Sequence, residues 1–165
     1  MDDAARRDAA ELVTRESHYL DARDWDAWLA LYAEDAEYWA PAWKGDDNLA
    51  DDPQSEISLI YYASRVGLEE RVHRVRSGMS VTTMPLPRTA HMLGNFIVSD
   101  LGEGGVEVHS TWNAHSYDPY STRQHVLFGR YEHRLRPGPS GFAIVRKKII
   151  LMNDRIPSVV DFYSL

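Results

Sequence analysis

The chain has 165 residues, 44% of them hydrophobic, a formal net charge of −7 and no cysteine. A chain of this length buries about 70% of its unfolded surface, so residues 1–165 are expected to form one domain around one core. The missing cysteines exclude a disulfide framework, a thiolate zinc site, an iron–sulfur centre or a cysteine nucleophile built from this chain alone. The acidic balance opposes nucleic acid and anionic membrane surfaces as partners. The opening MDDAARRDAA lacks the apolar stretch of a secretory signal, and no run of about 18 apolar residues follows, so a cytoplasmic location is expected.

In chain order, Ala5, Ala9, Leu12, Val13, Tyr19 and Leu20 recur at spacings of three and four and predict a first amphipathic helix. Asp24 can cap a second, shorter helix carrying Trp25, Trp28, Leu29 and Tyr32. Ala36 to Ala42 then reads as a strand ended by Pro41, and the acidic KGDDNLADDPQ stretch as a loop. After an apolar run at Ile57 to Tyr62, Leu68, Val72 and Val75 mark a third helix that Gly78 stops. The second half changes character. His91–Ser99, Val106–Tyr117, Gln124–Leu135 and Phe142–Met152 are strand candidates separated by GEGG, YDPYST and RPGPSG turns. Helices first and a strand meander afterwards predict an α+β fold. On the second of these strands Val106, Val108, Ser110, Trp112 and Ala114 alternate with Glu107, His109, Thr111, Asn113 and His115, which gives one apolar and one polar face.

Seven histidines invite a metal hypothesis, but their spacing opposes it. His109 and His115 share a strand face about 20 Å apart, and no H-E-x-x-H is present. Asp46, Asp47, Asp51, Asp52 and Glu56 lack the order of a calcium loop and read as a solvated acidic loop. No nucleophile elbow, Walker loop or dinucleotide fingerprint appears. One enzymatic idea survives: helices closed over a curved sheet form a cone, into which His91, Asn95, His109, Asn113 and Tyr131 are candidates to project, a buried His or Asp serving as general base. On that reading the chain is a free-standing isomerase, dehydratase or small-ligand binder.

Four segments point elsewhere. Arg88-Thr89-Ala90-His91 with Asn95, Phe128-Gly129-Arg130-Tyr131 leading to Leu135-Arg136, and Arg146-Lys147-Lys148-Ile149-Ile150-Leu151 through Ile156-Pro157 occur in order. They resemble the R-T-x-H-x-x-x-N, F-x-G-R-Y-x-x-x-L-R and R-x-x-I-x-L…I-P strands of the β (small) subunits of aromatic-ring-hydroxylating dioxygenases. The W-x-x-L-Y-A-x-D-A-x-Y pattern from Trp28 to Tyr38 is the fourth. Asp52-Pro53-Gln54-Ser55-Glu56, Ile60-Tyr61-Tyr62 and Gly67-Leu68-Glu69-Glu70-Arg71 are similar to the benzoate and anthranilate branch. A tryptophan common among relatives is missing between Ser77 and Met84.

This resemblance implies a ketosteroid-isomerase-like (nuclear transport factor 2-like, cystatin-like) cone, with N-terminal helices packed on a strongly curved, mostly antiparallel sheet. It also implies a structural role with no catalytic, cofactor or metal residues in this chain. The Rieske cluster and mononuclear iron are expected in a partner α subunit, NADH is expected to be used by a separate reductase, and three α are expected with three β. Arg88, His91, Arg130, Glu132, Arg134, Arg146 and Lys148 are the candidate interface residues; the alternative for the charges on the strand faces of Arg130, Glu132, Arg134, Arg146 and Lys148 is that they are simply solvated. The apolar tail Ile156 to Leu165 must dock, either between subunits or on the chain's own core.

Overall fold

The computed structural model describes residues 1–78, 85–156 and 160–165. Met79 to Met84, most of the stretch where the family tryptophan is missing, and Pro157 to Val159 of the tail lie outside the described residues. The elements are α1 (Asp3–Ala22), α2 (Trp25–Ala30), β1 (Tyr32–Pro41), β2 (Ser58–Tyr62), α3 (Arg65–Arg76), β3 (Arg88–Gly102), β4 (Gly105–Tyr117), β5 (Gln124–Gly138) and β6 (Gly141–Leu151), with a 3₁₀ turn at Phe162–Ser164. One sheet of six strands runs in the order β2-β1-β6-β5-β4-β3. It is antiparallel except where β1 meets β6. This is the expected α+β cone.

The local chemistry accounts for the helix boundaries. The Asp2 carboxylate accepts from the Ala5 N–H and starts α1, and Arg23 ends it in a left-handed conformation, φ 57°. Asp24 caps α2 directly afterwards, accepting from Ala27 N–H at 3.2 Å. Tyr32, expected as the last residue of that helix, instead opens β1. There the Leu31 carbonyl accepts from Ile144 N–H of β6 at 2.8 Å, so strand pairing outweighs the helical spacing.

Two irregularities decide which side chains face the helices. On β3, Gly94 pairs with Thr111 but Ile97 pairs with His109, so Asn95 and Phe96 together oppose Ser110. Asn95 takes a left-handed φ of 53°. This is a β-bulge, and it turns Asn95 outward where unbroken alternation from His91 and Leu93 would have put it inside. On β6, Leu135 pairs with Ile144 while Arg134 pairs with Arg146, which leaves Val145 as an extra residue. Beyond it Lys147, Ile149 and Leu151 are buried.

The concave face carries the core: Val106, Val108, Trp112, Leu127, Leu135, Ile144 and Ile149 from the sheet meet Ala9, Leu12, Val13 and Leu20 of α1 and Leu68, Val72 and Val75 of α3. The apolar face of β4 is therefore the inward one. The open edge of β3 is covered by α1, whose Arg6 guanidinium donates to the Val98 carbonyl at 3.0 Å. Arg23, just beyond α1, donates to the Leu86 and Pro87 carbonyls.

Gly129 of β5 has a steric role, because a Cβ there would lie 1.9 Å from the Ile150 carbonyl oxygen on the neighbouring strand. Gly129→Ala should lower the free energy of unfolding in urea by at least about 2 kcal/mol, since neither backbone can retreat cheaply. Gly45→Ala, where nothing lies within 4 Å of the new methyl, should leave the midpoint within experimental error. Equal midpoints for the two variants would contradict the close approach.

Candidate functional site

Ionisable groups gather in two places, inside the cone and on its outer sheet face. Inside, Glu16 lies in the buried stripe of α1, and Lys147 and His133 face it from β6 and β5; all three are wholly buried. Glu16 Oε1 accepts from Lys147 Nζ at 2.8 Å, Tyr32 OH at 2.6 Å and Trp28 Nε1 at 3.1 Å. Its Oε2 is 3.4 Å from His133 Nε2. Lys147 also donates to the Leu165 carbonyl at 3.3 Å and sits 4.3 Å from the centre of the Tyr131 ring, which stacks on Trp112.

The electrostatics follow from burial and pairing. Burial pushes the Glu16 carboxyl up, but the Lys147 ammonium and His133 outweigh it and hold the group far below the usual carboxylate range. Burial draws Lys147 down against the pull of Glu16, and burial also holds His133 below its ordinary value against the pull of the same carboxylate. A carboxylate fixed this far from neutrality, with three donors on one oxygen, is a poor general base. The arrangement is a fastening.

A second contact ties α1 to the start of β3. Asp21 Oδ1 lies 2.6 Å from His91 Nδ1 and accepts from Thr89 Oγ1 at 2.9 Å, while Oδ2 accepts from the His91 backbone N–H at 2.8 Å. Burial raises the Asp21 carboxyl, and the hydrogen bonds from His91 more than reverse that. The His91 side chain has no exposed surface. It is therefore an interior residue and not part of an outer interface.

Of the interior candidates, His91 and Tyr131 face the core. His109, Asn113 and Asn95 do not: they lie on the outer side, opposite the buried Val106–Ser116 stripe. There His109 contacts Glu107 at 3.2 Å, and the Asn95 amide donates to Thr111 Oγ1 at 3.1 Å. Glu16, Asp21, His133 and Lys147, which the sequence reading did not select, are the groups the fold brings together. The signal for them was a charged residue inside an apolar stripe at Glu16. Among the described residues no group of three or more His, Cys, Asp or Glu is placed to hold a metal ion.

On the outer face, Arg134 pairs with Glu107 at 3.1 Å and Arg146 with Glu37 at 2.6 Å. Lys148 lies 4.9 Å from the Trp39 ring and Arg88 5.9 Å from the Tyr117 ring. Arg130 and Glu132 form no ion pair among the described residues. Met92, Val126 and Phe128 add exposed apolar surface to this face, and Asn113 lies between Met92 and Phe128 in register. The tail covers the chain's own core: Leu165 and Phe162 are wholly buried, Phe162 stacks on Trp28, and Asp161 pairs with Arg71. Its described part is thus internal packing and not a free contact surface.

A family model for the ring hydroxylating beta subunit matches residues 15–158. The chain belongs to this family. This ring-hydroxylating β subunit is 40% identical to the 2-halobenzoate 1,2-dioxygenase small subunit of Burkholderia cepacia, over 96% of this chain and 94% of that protein. It is 39% identical to the anthranilate 1,2-dioxygenase small subunit of Acinetobacter baylyi, over 94% of each. The crystal structure of the β subunit of the benzoate 1,2-dioxygenase from Burkholderia mallei has a TM-score of 0.79 at 32% identity and covers 100% of this chain and 98% of that one.

Near pH 7, Glu16→Gln should cost about 3–5 kcal/mol because it leaves Lys147 buried without its counter-charge. Glu16→Gln combined with Lys147→Met should cost less than the sum of the two single changes, measured by urea unfolding. The Glu16 carboxyl titrates lower in the folded than in the unfolded chain, so its contribution is complete above the unfolded value of about 4.3 and is lost as pH falls below it. Wild-type stability should therefore drop below about pH 4.3, and the part of the drop due to this carboxyl should vanish in Glu16→Gln.

Proposed function

We propose that the chain, acting as one structural unit over residues 1–165, is the small subunit of a multicomponent Rieske non-haem iron dioxygenase that dihydroxylates a carboxylate-bearing aromatic compound. The observation that carries this reading is the likeness, over nearly the whole chain, to small subunits of dioxygenases named for 2-halobenzoate, anthranilate and benzoate. The missing cysteines support the division of labour: a Rieske centre needs two Cys and two His, and this chain has no Cys. The cluster and the mononuclear iron therefore belong to the α subunit, electrons come from NADH through a reductase, and the complex works in the cytoplasm. No helix among the described residues is long and apolar enough to cross a membrane.

Three α subunits stand on three β subunits in this reading. A closed ring fixes the spacing of the catalytic subunits and stops open polymerisation. The outer sheet face, with Arg88, Arg130, Glu132 and the apolar Met92 and Phe128, is the surface offered to the partner. The interior supplies rigidity, because Glu16 ties Lys147, Tyr32 and Trp28 together and Asp21 holds His91.

The test is reconstitution. The purified β subunit should not oxidise benzoate-like substrates with reductase and NADH, and adding the iron-bearing subunit should restore turnover. His91→Gln should leave turnover of the assembled, iron-loaded enzyme within about tenfold, whereas loss of a general base costs about 10²–10⁴. Turnover by the β subunit alone, or a hundredfold loss in an intact His91→Gln complex, would overturn the structural role.

A further inference from the structure

The chain carries a knob and a matching groove at opposite ends of one strand. The knob is the β4–β5 turn, Asp118 to Arg123. Its Tyr120 is 87% exposed, the most exposed large hydrophobic side chain among the described residues. The turn is nonetheless tightly held. Asp118 Oδ1 accepts from the Tyr120 and Ser121 N–H groups at 2.8 and 3.3 Å, and Oδ2 accepts from Ser121 Oγ at 2.7 Å. Asp118 N–H donates to the Arg123 carbonyl at 2.8 Å. An aromatic ring presented on a fixed turn loses little freedom on docking, which is how tyrosine anchors interfaces. The Arg123 guanidinium beside it makes no close ion pair among the described residues, its nearest influence being a longer-range pull on the Asp118 carboxylate.

The groove, about 1240 Å³, lies between α1, the end of α2 and the tips of the β3–β4 and β5–β6 hairpins. Leu12, Tyr19, Leu31, Val106 and Phe142 give it apolar lining. Its rim is acidic. Asp2 is used as a helix cap, Glu11 pairs with Arg15, and Asp100 pairs with the Met1 amino group. Asp8 and Glu103, which also line the groove, have no basic partner among the described residues.

β4 runs from the groove at Gly105 to the knob after Tyr117, about 40 Å of strand at roughly 3.3 Å per residue, so a chain cannot fill its own groove. An aromatic knob flanked by a cation whose near carboxylate, Asp118, is already committed to the turn's own hydrogen bonds and an apolar groove flanked by two carboxylates without a basic partner among the described residues are complementary only between copies. Such a contact joins unlike patches, and repeated by a three-fold rotation it closes on itself. We infer that β subunits join head to tail, Tyr120 of one copy entering the groove of the next and Arg123 meeting Asp8 and Glu103. The inference rests on the three-fold ring of the proposed function and names the contact that builds it.

Sedimentation velocity on the full chain tests it. Wild type should sediment as three copies. Tyr120→Ala, and separately Asp8→Lys with Glu103→Lys, should weaken self-association at least about thirtyfold and give monomers at micromolar concentration. An equimolar mixture of the two variants should form a one-to-one pair and no larger species, because one variant keeps a sound groove and the other a sound knob. Variants that sediment as three copies would overturn the knob-and-groove contact and leave the ring reading standing. Variants that keep the ring but no longer bind the catalytic subunit would assign the knob to that subunit and overturn the inference as well. A wild-type chain that stays monomeric, alone and with its catalytic partner, would sink the ring reading itself.

Discussion

The structure turns on one carboxylate. Taking Glu16 and Lys147 out of water costs several kcal/mol for each ion, and their attraction offsets this only when the geometry is good and the remaining hydrogen-bonding sites are filled. Here one oxygen of the carboxylate is filled by three donors, while the other has only His133 Nε2 nearby, at 3.4 Å. Trp28 of α2, Tyr32 of β1 and Lys147 of β6 converge on one oxygen of Glu16, while Lys147 reaches on to the Leu165 carbonyl of the tail. The pair thus fixes where α1 lies over the sheet, where α2 leaves it and where the chain's last described residue packs. An apolar core of the same volume tolerates sliding; a buried pair with three donors on one oxygen does not.

That use of the interior separates architecture from chemistry. A cone of helices over a curved sheet offers an enclosed space, and the same architecture supports unrelated functions, so the site must decide. In this chain Glu16 and Lys147 hold each other, with the Glu16 carboxyl kept far below the usual range, and the Asp21–His91 contact is spent on fastening α1 to β3. The variable, partner-facing chemistry is on the outside. The outer face carries ion pairs bridging neighbouring strands together with Arg130 and Glu132, which have none. A β subunit that supports another chain's iron chemistry needs that combination of a rigid inside and an addressable outside.

Much of this was legible in the sequence, and the parts that were not have definite causes. The three helices, the long strands, the apolar face of β4 and the family motifs follow from period, capping and turn residues. The interior was misread because two single-residue irregularities reset the alternation. The bulge at Asn95 turned that residue out. The extra Val145 turned Lys147 in from a run, Arg146-Lys147-Lys148, that looks like solvated surface. Glu16 and Lys147 are 131 residues apart, and no local pattern couples them. His109 and Asn113 were candidates for the interior only if the polar face of β4 pointed there, and burial of its apolar face against α1 forbids that. The tail's apolar density correctly demanded docking, but the sequence held no information on whether the groove it fills is its own.

The ionised interior is a fastening and not a working acid or base. Carbon-13 NMR of the Glu16 side-chain carboxyl across pH measures this directly. Its chemical shift should stay that of an ionised carboxylate throughout the folded range and change only when the protein unfolds in acid. A titration midpoint between about pH 5 and 8 in the folded protein, where a poised catalytic group would sit, would contradict it.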